Sequence, residues 1–146
     1  MKENYFKLVT MLERLHRLFL EALKVELGRM NVRDINNVQC LILYNIGQER
    51  VTIGELTSRG YYLGSNVSYN LRKMVQNGYL LQHMSLHDRR LTLVGLSEKG
   101  QELYNKLHKV FTRQVQALSH EGMSDQKMAE IGNGLVILEK FWTSLL

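Results

Sequence analysis

The stretch that decides the fold runs from Gly64 to Arg90 and reads GSNVSYNLRKMVQNGYLLQHMSLHDRR. Its first half carries apolar side chains at helical spacing, and Asn77-Gly78 is typical of a helix end. Its second half predicts a strand over 80–84 and a polar turn over 85–90, and the residues directly after it predict a second strand over 91–96. The stretch therefore predicts a helix followed by a β-hairpin.

The helix predicted over 64–78 has two unlike faces. At about 100° per residue, its apolar side chains fall on one side. The opposite side and its flanks offer hydroxyl, amide and basic groups, which can pair with base edges and phosphates, but no acid. The DNA contacts predicted on this helix are Ser65, Asn66, Ser68, Tyr69, Asn70, Arg72 and Lys73. Asn66, Tyr69 and Ser65 are predicted to read bases, and Arg72 and Lys73 to bind phosphate.

Local charge favours a nucleic acid more than the net charge of +5 does. Five Lys or Arg and one acid lie between Arg59 and Arg90, whereas the first thirty residues hold six bases and four acids. Concentrated basicity is what phosphate neutralisation requires. A solvated helix beside a polar hairpin would explain composition alone. The order of elements and the arginines at the hairpin tip favour DNA.

The remaining segments predict five more helices. Residues 1–31 form an amphipathic stripe that includes Tyr5, Leu8, Leu12, Leu15, Phe19 and Ala22. Capping boxes are predicted at Asn36 and Thr52, and Ser97 and Ser124 are predicted N-caps. Arg50-Val51 is a candidate short strand. The fold class is mainly α with a small two-stranded β-hairpin wing: a winged helix-turn-helix of six helices. The apolar terminal helices predict a dimer.

Length and composition exclude several classes of protein. A chain of 146 residues with 45% apolar residues suits one globular domain. The single cysteine, Cys40, leaves no intrachain disulfide, and no run of 18 apolar residues or signal segment is present. A cytoplasmic protein with no membrane association is expected. No nucleophile–base set, phosphate loop or paired acid motif predicts an enzyme.

The hairpin tip and the following helix resemble the MarR (multiple antibiotic resistance regulator) family of winged-helix regulators. The similarity rests on Asp88-Arg89-Arg90, then a strand, then Leu96-Ser97-Glu98-Lys99-Gly100. Upstream, Thr52-Ile53-Gly54-Glu55-Leu56 and Gly78-Tyr79-Leu80 match the family's motif. The resemblance implies a single MarR-like chain, 1–146, with a DNA-binding lobe at 34–96 and dimerisation helices at 1–31 and 97–146.

The resemblance also implies a function. It implies a sequence-specific, ligand-responsive homodimeric repressor that binds double-stranded DNA at a pseudo-palindromic operator. Asp88 would orient the wing through a salt bridge, while Arg89 and Arg90 enter the minor groove, where a narrow groove favours guanidinium groups. Two alternatives stay open: a winged-helix protein-interaction module that binds an acidic partner, and an effector-binding protein without a DNA role.

One segment departs from the family pattern. Gly60 and Leu63 stand where an apolar residue and a capping Ser or Thr are usual, so Gly64 or Ser65 must cap the recognition helix. The pair Tyr61-Tyr62 is similar to a branch of envelope-stress regulators that control L,D-transpeptidase expression. The start of the recognition helix is the part of the motif that this departure affects.

The other candidate sites are a thiol, the histidines and an effector pocket. Cys40 lies beside Leu41 and Leu43, which favours a core residue over a redox switch. The five histidines lack ligand spacing, so no metal and no cofactor are expected. The resemblance implies a small aromatic or phenolic effector between the dimer helices and the DNA-binding lobe. The candidate lining residues, which mix apolar bodies with polar tips, are His16, Phe19, Tyr44 and Phe111.

Overall fold

The computed structural model describes residues 1–60 and 64–146. Of residues 60, 64 and 65, it describes the backbone alone. Tyr61, Tyr62 and Leu63, three of the residues that depart from the family pattern, lie outside the described residues. The described elements are α1 (Lys2–Arg29), α2 (Asn37–Ile46), β1 (Val51–Thr52), α3 (Ile53–Gly60), α4 (Gly64–Gln76), β2 (Leu80–Met84), β3 (Thr92–Leu96), α5 (Glu98–His120) and α6 (Asp125–Ser144). Two compact units divide the chain, Met1–Leu107 and His108–Leu146.

The helices of the first unit begin at side-chain caps that the sequence predicts. The backbone N–H of Gln39 donates to the side chain of Asn36 at 2.8 Å, and the N–H of Asn36 donates back to Gln39 Oε1 at 3.2 Å. Thr52 and Glu55 make the same reciprocal pair at 3.1 and 3.2 Å. Each box satisfies two N–H groups that a helix start leaves unpaired. Both predicted capping boxes are confirmed.

Helix α4 ends in a Schellman motif. Gly78 has φ +82°, a conformation in which a side chain is strained. The N–H of Tyr79 donates to Met74 O at 2.9 Å, and that of Gly78 donates to Val75 O at 3.0 Å. These are the two bonds of the motif, so the predicted stop at Asn77-Gly78 is confirmed.

The wing is part of a three-stranded antiparallel sheet of order β1-β3-β2. The predicted β-hairpin wing is confirmed, and the structure adds β1, which pairs with β3 and places Val51 opposite Val94. The hairpin itself pairs Leu80 with Leu96 through to Met84 with Thr92. The short strand predicted at 50–51 lies one residue later, and β3 begins one residue after its predicted start. Because α3 begins directly after β1, this pairing joins the wing to the start of α3.

The core of the first unit is built from α2, α4, the sheet and the start of α5. Side chains that are at most 2% exposed include Ile42, Leu43, Ile46, Val51, Leu56, Val67, Leu71, Met74, Leu80, Val94 and Leu107. Gly100 lies where α5 meets this core, and a Cβ there would stand 2.2 Å from Tyr79 O. Because no side chain fits that gap, α5 and the end of α4 approach backbone to backbone.

Much of the predicted apolar stripe of α1 is exposed in the protomer. Only Leu23 and Leu27 of this 28-residue helix are buried. The exposed apolar side chains of α1 are Tyr5, Phe6, Leu8, Met11, Leu15, Leu18, Phe19 and Val25. A monomer rarely presents so large an apolar surface without a partner for it.

In the second unit, α6 likewise has no buried residue. Its exposed apolar side chains are Met128, Ile131, Leu135, Val136, Ile137 and Phe141. Ser124 caps the helix as predicted, accepting the N–H of Lys127 at 3.1 Å. Among the described helices, none is both long and apolar enough to cross a membrane.

Candidate nucleic-acid interface

The two-faced character predicted for α4 is present in the structure. Val67, Leu71 and Met74 are at most 2% exposed and form its inner face. The outward side chains are Asn66, Tyr69, Arg72, Lys73 and Gln76, while Ser68 and Asn70 are half-buried on the flanks. The Ser65 side chain lies outside the described residues. The predicted DNA contacts of α4 that can be placed therefore lie opposite its core face or beside it.

The cationic groups of α4 are available for an anion. The Nζ atom of Lys73 stands 5.9 Å from the centroid of the Tyr69 ring, and Tyr69 is 53% exposed. An exposed cation–π contact of this kind is worth only about 0.5–1 kcal/mol, so a phosphate can draw the ammonium away. Within residues 1–60 and 64–146, neither Arg72 nor Lys73 has a carboxylate partner.

The first anchor of α4 joins its outer flank to α2. The side-chain amide of Gln39, a residue that is 7% exposed, donates from Nε2 to Asn70 Oδ1 at 3.1 Å. Because Gln39 is also held by its capping box, it is fixed at both ends of its amide. The position of Asn70 is therefore tied to the start of α2.

The second anchor is a polar cluster at the end of α4, formed by Asp34, Asn77, Tyr79 and Lys99. The Lys99 ammonium donates to Asp34 Oδ2 at 2.5 Å and to Asn77 O at 2.8 Å, and lies 4.4 Å from the Tyr79 ring centroid. The Tyr79 hydroxyl donates to the other oxygen of Asp34, and Asn77 Nδ2 donates to Asp34 O at 2.8 Å. This cluster joins the 30–36 loop, the end of α4 and the start of α5.

The ionisation of the cluster follows from these contacts. The hydrogen bond from Lys99, reinforced by that from Tyr79, lowers the pKa of Asp34 below its ordinary value. Burial, with the hydrogen bond to the Asp34 carboxylate second, raises the pKa of Tyr79. Asp34 is thus charged and Tyr79 neutral at neutral pH, the state in which the four groups pair.

The wing turn is held by its own side chains. Ser85 Oγ accepts the N–H groups of His87 and Asp88, each at 3.3 Å. Asp88 accepts from the N–H of Arg90 at 3.0 Å and from its guanidinium at 3.1 and 3.3 Å. Those bonds lower the pKa of Asp88. The predicted Asp88 salt bridge is present, and its partner is Arg90.

The arginine pair at the tip presents charge to solvent. The Arg90 side chain is 90% exposed even though one edge of it is held by Asp88. Arg89 has no ion pair with any described residue. The turn therefore orients Arg90, while Arg89 is exposed and has no carboxylate partner among the described residues.

The residues predicted for the effector pocket fall in both units. His16, Phe19 and Tyr44 belong to the first unit and Phe111 to the second. The Tyr44 ring stacks on Tyr104, with centroids 4.9 Å apart and planes 17° apart. Burial and the neighbouring Tyr104 raise the pKa of Tyr44. His16 is exposed on α1.

Cys40 is 1% exposed, and burial raises its thiol pKa to about 12. A thiol that stays protonated at neutral pH is a poor nucleophile and a poor redox sensor. The structure agrees with the interpretation of Cys40 as a small core residue. Within the described part of the chain, His, Cys, Asp and Glu side chains form no group of three or more that could hold a metal ion.

Comparison with known proteins gives this surface a context. Residues 35–100 match the model of a winged helix DNA-binding domain. The exopolysaccharide II synthesis transcriptional activator ExpG of Rhizobium meliloti is 35% identical over 139 residues, which cover 95% of this chain and 72% of that protein. The chain belongs to the MarR family of winged-helix transcriptional regulators. It is a DNA-binding regulator, and the family is not one of enzymes.

Two solved structures show the same fold. FabT of Streptococcus pneumoniae in complex with DNA superposes with a TM-score of 0.75 at 25% identity, covering 97% of this chain and 99% of that one. Staphylococcus aureus MarR in complex with salicylate and kanamycin gives 0.77 at 22% identity, covering 96% and 93%. Assignment to the envelope-stress branch stays a prediction.

Sequence reasoning missed Gln39, Asp34, Lys99 and Ser85 as residues that position the interface. Ser85 carried a usable signal, because a Ser at the start of a polar turn commonly accepts the following N–H groups. Gln39 was recognised as half of a capping box, but its second bond reaches a residue 31 positions away. No local pattern predicts such a contact.

We expect Asp34→Asn to lower the free energy of unfolding by roughly 0.5 kcal/mol at neutral pH, since the pair with Lys99 is about half exposed and solvent-screened. The folded-state pKa of Asp34 is depressed, so its contribution is present above the ordinary carboxyl pKa of about 4 and is lost as pH falls through the lower folded value. Urea unfolding of both proteins between about pH 7 and pH 2.5 measures the difference.

Glu13→Gln is the matched control, because it removes a carboxylate from a pair whose two side chains are 65% and 69% exposed. That variant should show no comparable change. A stability difference between wild type and Asp34→Asn that stays constant over the whole pH range would contradict the proposed linkage.

Proposed function

We propose that this MarR-family chain acts as a homodimer, joined through α1 and α6, on a pseudo-palindromic operator. Two copies of α4 would enter successive major grooves about 34 Å apart. Asn66 and Tyr69, with Ser65, would contact bases, while Arg72 and Lys73 bind phosphate. The observation that carries the proposal is the exposed, acid-free outer face of α4 opposite a fully buried inner face.

The wing supplies the second part of the contact. Arg90 is held by Asp88 with its side chain 90% exposed, and Arg89 follows Asp88 directly in the turn. Two cations at the tip of a narrow hairpin suit a minor groove, whose negative potential is greatest where the groove is narrow. We assign the wing arginines to the minor groove that flanks each recognition helix.

The dimer is supported by the exposed apolar faces of α1 and α6. Aromatic and aliphatic side chains on both helices are about 40–70% exposed, among them Phe6, Leu15, Ile131 and Ile137. Burial of such surface contributes about 25 cal/mol per Å², which favours a partner that covers it. A second copy of the chain is the partner that matches the two-fold symmetry of a pseudo-palindromic operator. Met128, Ile131 and Leu135 keep the heptad-like spacing of a helix–helix seam.

The third part of the proposed function is regulation by a small aromatic molecule. The S. aureus MarR neighbour was crystallised with salicylate and kanamycin. In this chain His16, Phe19, Tyr44 and Phe111 are the proposed lining. An effector that binds one arrangement of the dimer more tightly would draw the population away from the DNA-binding arrangement.

Repression is the direction that the family resemblance implies, and it is our proposal. The R. meliloti relative is named as an activator. The same DNA contact serves both outcomes. The position of the operator relative to the promoter decides between them, and mapping the bound site in the genome would show which holds.

The wing contact predicts a change in salt dependence. We expect Arg89→Ala or Arg90→Ala to weaken binding to a selected operator about tenfold, and to reduce the slope of log Kd against log salt concentration by about 1 each. Arg17→Ala is the control, because Arg17 lies on α1 and is paired with Glu13. Fluorescence anisotropy at several salt concentrations measures both quantities. Unaltered slopes in both wing variants would exclude the minor-groove contact.

The proposed dimer interface predicts that a charged substitution within it converts the dimer to a monomer in solution. Ile131→Glu should raise the dimer dissociation constant at least about a hundredfold, since it places an unpaired charge in the proposed interface. Leu86→Glu makes the same substitution at a wing-tip side chain that is 98% exposed. Sedimentation velocity at micromolar protein should find the first variant monomeric and the second dimeric. A dimer for both variants would place the interface elsewhere.

The effector pocket predicts a change in ligand response. Salicylate is the probe, and release of the operator is the readout. We expect His16→Ala to raise the salicylate concentration for half-release about tenfold, the effect of losing a hydrogen bond to a carboxylate. His120→Ala, an exposed histidine at the end of α5, should behave as wild type. Equal responses from the two variants would remove His16 from the pocket.

A further inference from the structure

The side-chain amide of Gln39 is used at both ends. Its Oε1 accepts the N–H of Asn36 at 3.2 Å, as part of the capping box of α2. Its Nε2 donates to Asn70 Oδ1 at 3.1 Å. Since Oε1 is committed to the backbone, Gln39 cannot turn its amide over without losing the cap. The group that it offers to α4 is therefore a donor.

A fixed donor on Gln39 fixes the direction of the Asn70 amide. An Asn side chain has one carbonyl oxygen and one NH₂ group. Because the Oδ1 atom of Asn70 faces Gln39, its Nδ2 atom faces the other way. Nδ2 has no hydrogen-bond partner in the described part of the chain, and that part contains no buried unsatisfied side-chain N or O atom, so Nδ2 reaches solvent.

The place of Asn70 on α4 decides what its NH₂ group can meet. Asn70 lies one turn after Asn66 and three residues before Lys73, which are both exposed. It therefore lies on the edge of the surface assigned to DNA. Asn66 is not held in this way, so it can turn either end of its amide outward.

We propose that Gln39 is a positioning residue that makes Asn70 a donor-only contact to DNA. This inference rests on the proposed function of α4 as the recognition helix. The NH₂ group of Asn70 would meet an acceptor oxygen, either a keto oxygen of guanine or thymine or a phosphate oxygen. The two-bond contact between an Asn amide and adenine needs both ends of the amide and is therefore closed to Asn70.

The variant Gln39→Glu tests this inference with little change in the fold. A carboxylate can keep the bond to the N–H of Asn36, and Glu is a favoured residue at that position of a capping box. Its other oxygen can only accept, so Asn70 must turn its NH₂ group inward and present Oδ1 to the DNA. A melting temperature close to that of wild type will show that the cap has survived.

The probe is a duplex library with a random 30-base-pair core, selected by the full-length wild type and by the variant. If Asn70 contacts a base, one position in each half-site should change from a keto base (guanine or thymine) to an amino base (adenine or cytosine), which donates to Oδ1. The affinity of the variant for the wild-type operator should fall about five- to tenfold. If Asn70 contacts a phosphate, the affinity should fall by a similar factor for every sequence without a change in preference.

Asn70→Ala separates these effects from the added negative charge. In a double-mutant cycle, the effect of Gln39→Glu should largely disappear when residue 70 is Ala, since its route is through the Asn70 amide. An effect that persists in full in the Asn70→Ala background would overturn the inference, as would identical selected sequences and affinities for wild type and Gln39→Glu. Failure of the wild type to enrich any sequence would count against the proposed function instead.

Discussion

Burial of one side of α4 is the constraint on which the rest of the interface depends. Val67, Leu71 and Met74 are almost fully removed from solvent. Full burial of each such side chain is worth about 1.5–3 kcal/mol, so rotating the helix to expose them would cost roughly 5 kcal/mol or more. That is a large part of the stability of an ordinary domain. The outward direction of Asn66, Tyr69 and Arg72 is therefore set by the core and needs no partner.

Burial of one face sets the rotation of α4 about its axis, and polar contacts then fix its position along that axis. Gln39 holds the flank of α4 from α2, and Lys99 holds its end from α5 through Asp34 and Asn77. A hydrogen bond weakens once its distance and angle leave a narrow range, so these contacts resist small shifts of α4 along its axis. Because these two anchors lie on different helices, a displacement of α2 or α5 would be transmitted to α4. A ligand that shifted either helix would thus have a physical route to the proposed DNA-contacting face of α4.

The sequence predicted those parts of the structure that depend on near neighbours. The capping residues Asn36, Thr52 and Ser124, and the stop at Gly78, are local signals, and the helices begin and end within a residue or two of the predicted places. The pairing of β1 with β3 was missed because a two-residue strand has no period of its own. The outer face of α4 could be predicted from the apolar spacing of its inner face. The contacts of Gln39, Asp34 and Lys99 could not be predicted, since they join segments that are 31 to 65 residues apart.

The two elements proposed to contact DNA, α4 and the wing, are held by different means, and this would separate their roles. The wing turn is held by Ser85 and Asp88 over a span of six residues, so the orientation of Arg90 depends on neighbours in the turn and not on the contacts that hold α4. Charge at such a tip contributes affinity that salt screens and that varies little with sequence. The face of α4 is held by long-range packing and by the Gln39 amide, and in the proposed function it carries the groups that distinguish one base from another. Under that proposal, substitutions in the wing would change affinity without altering sequence preference, whereas substitution of Gln39, which lies behind the proposed base-contacting face, would change specificity.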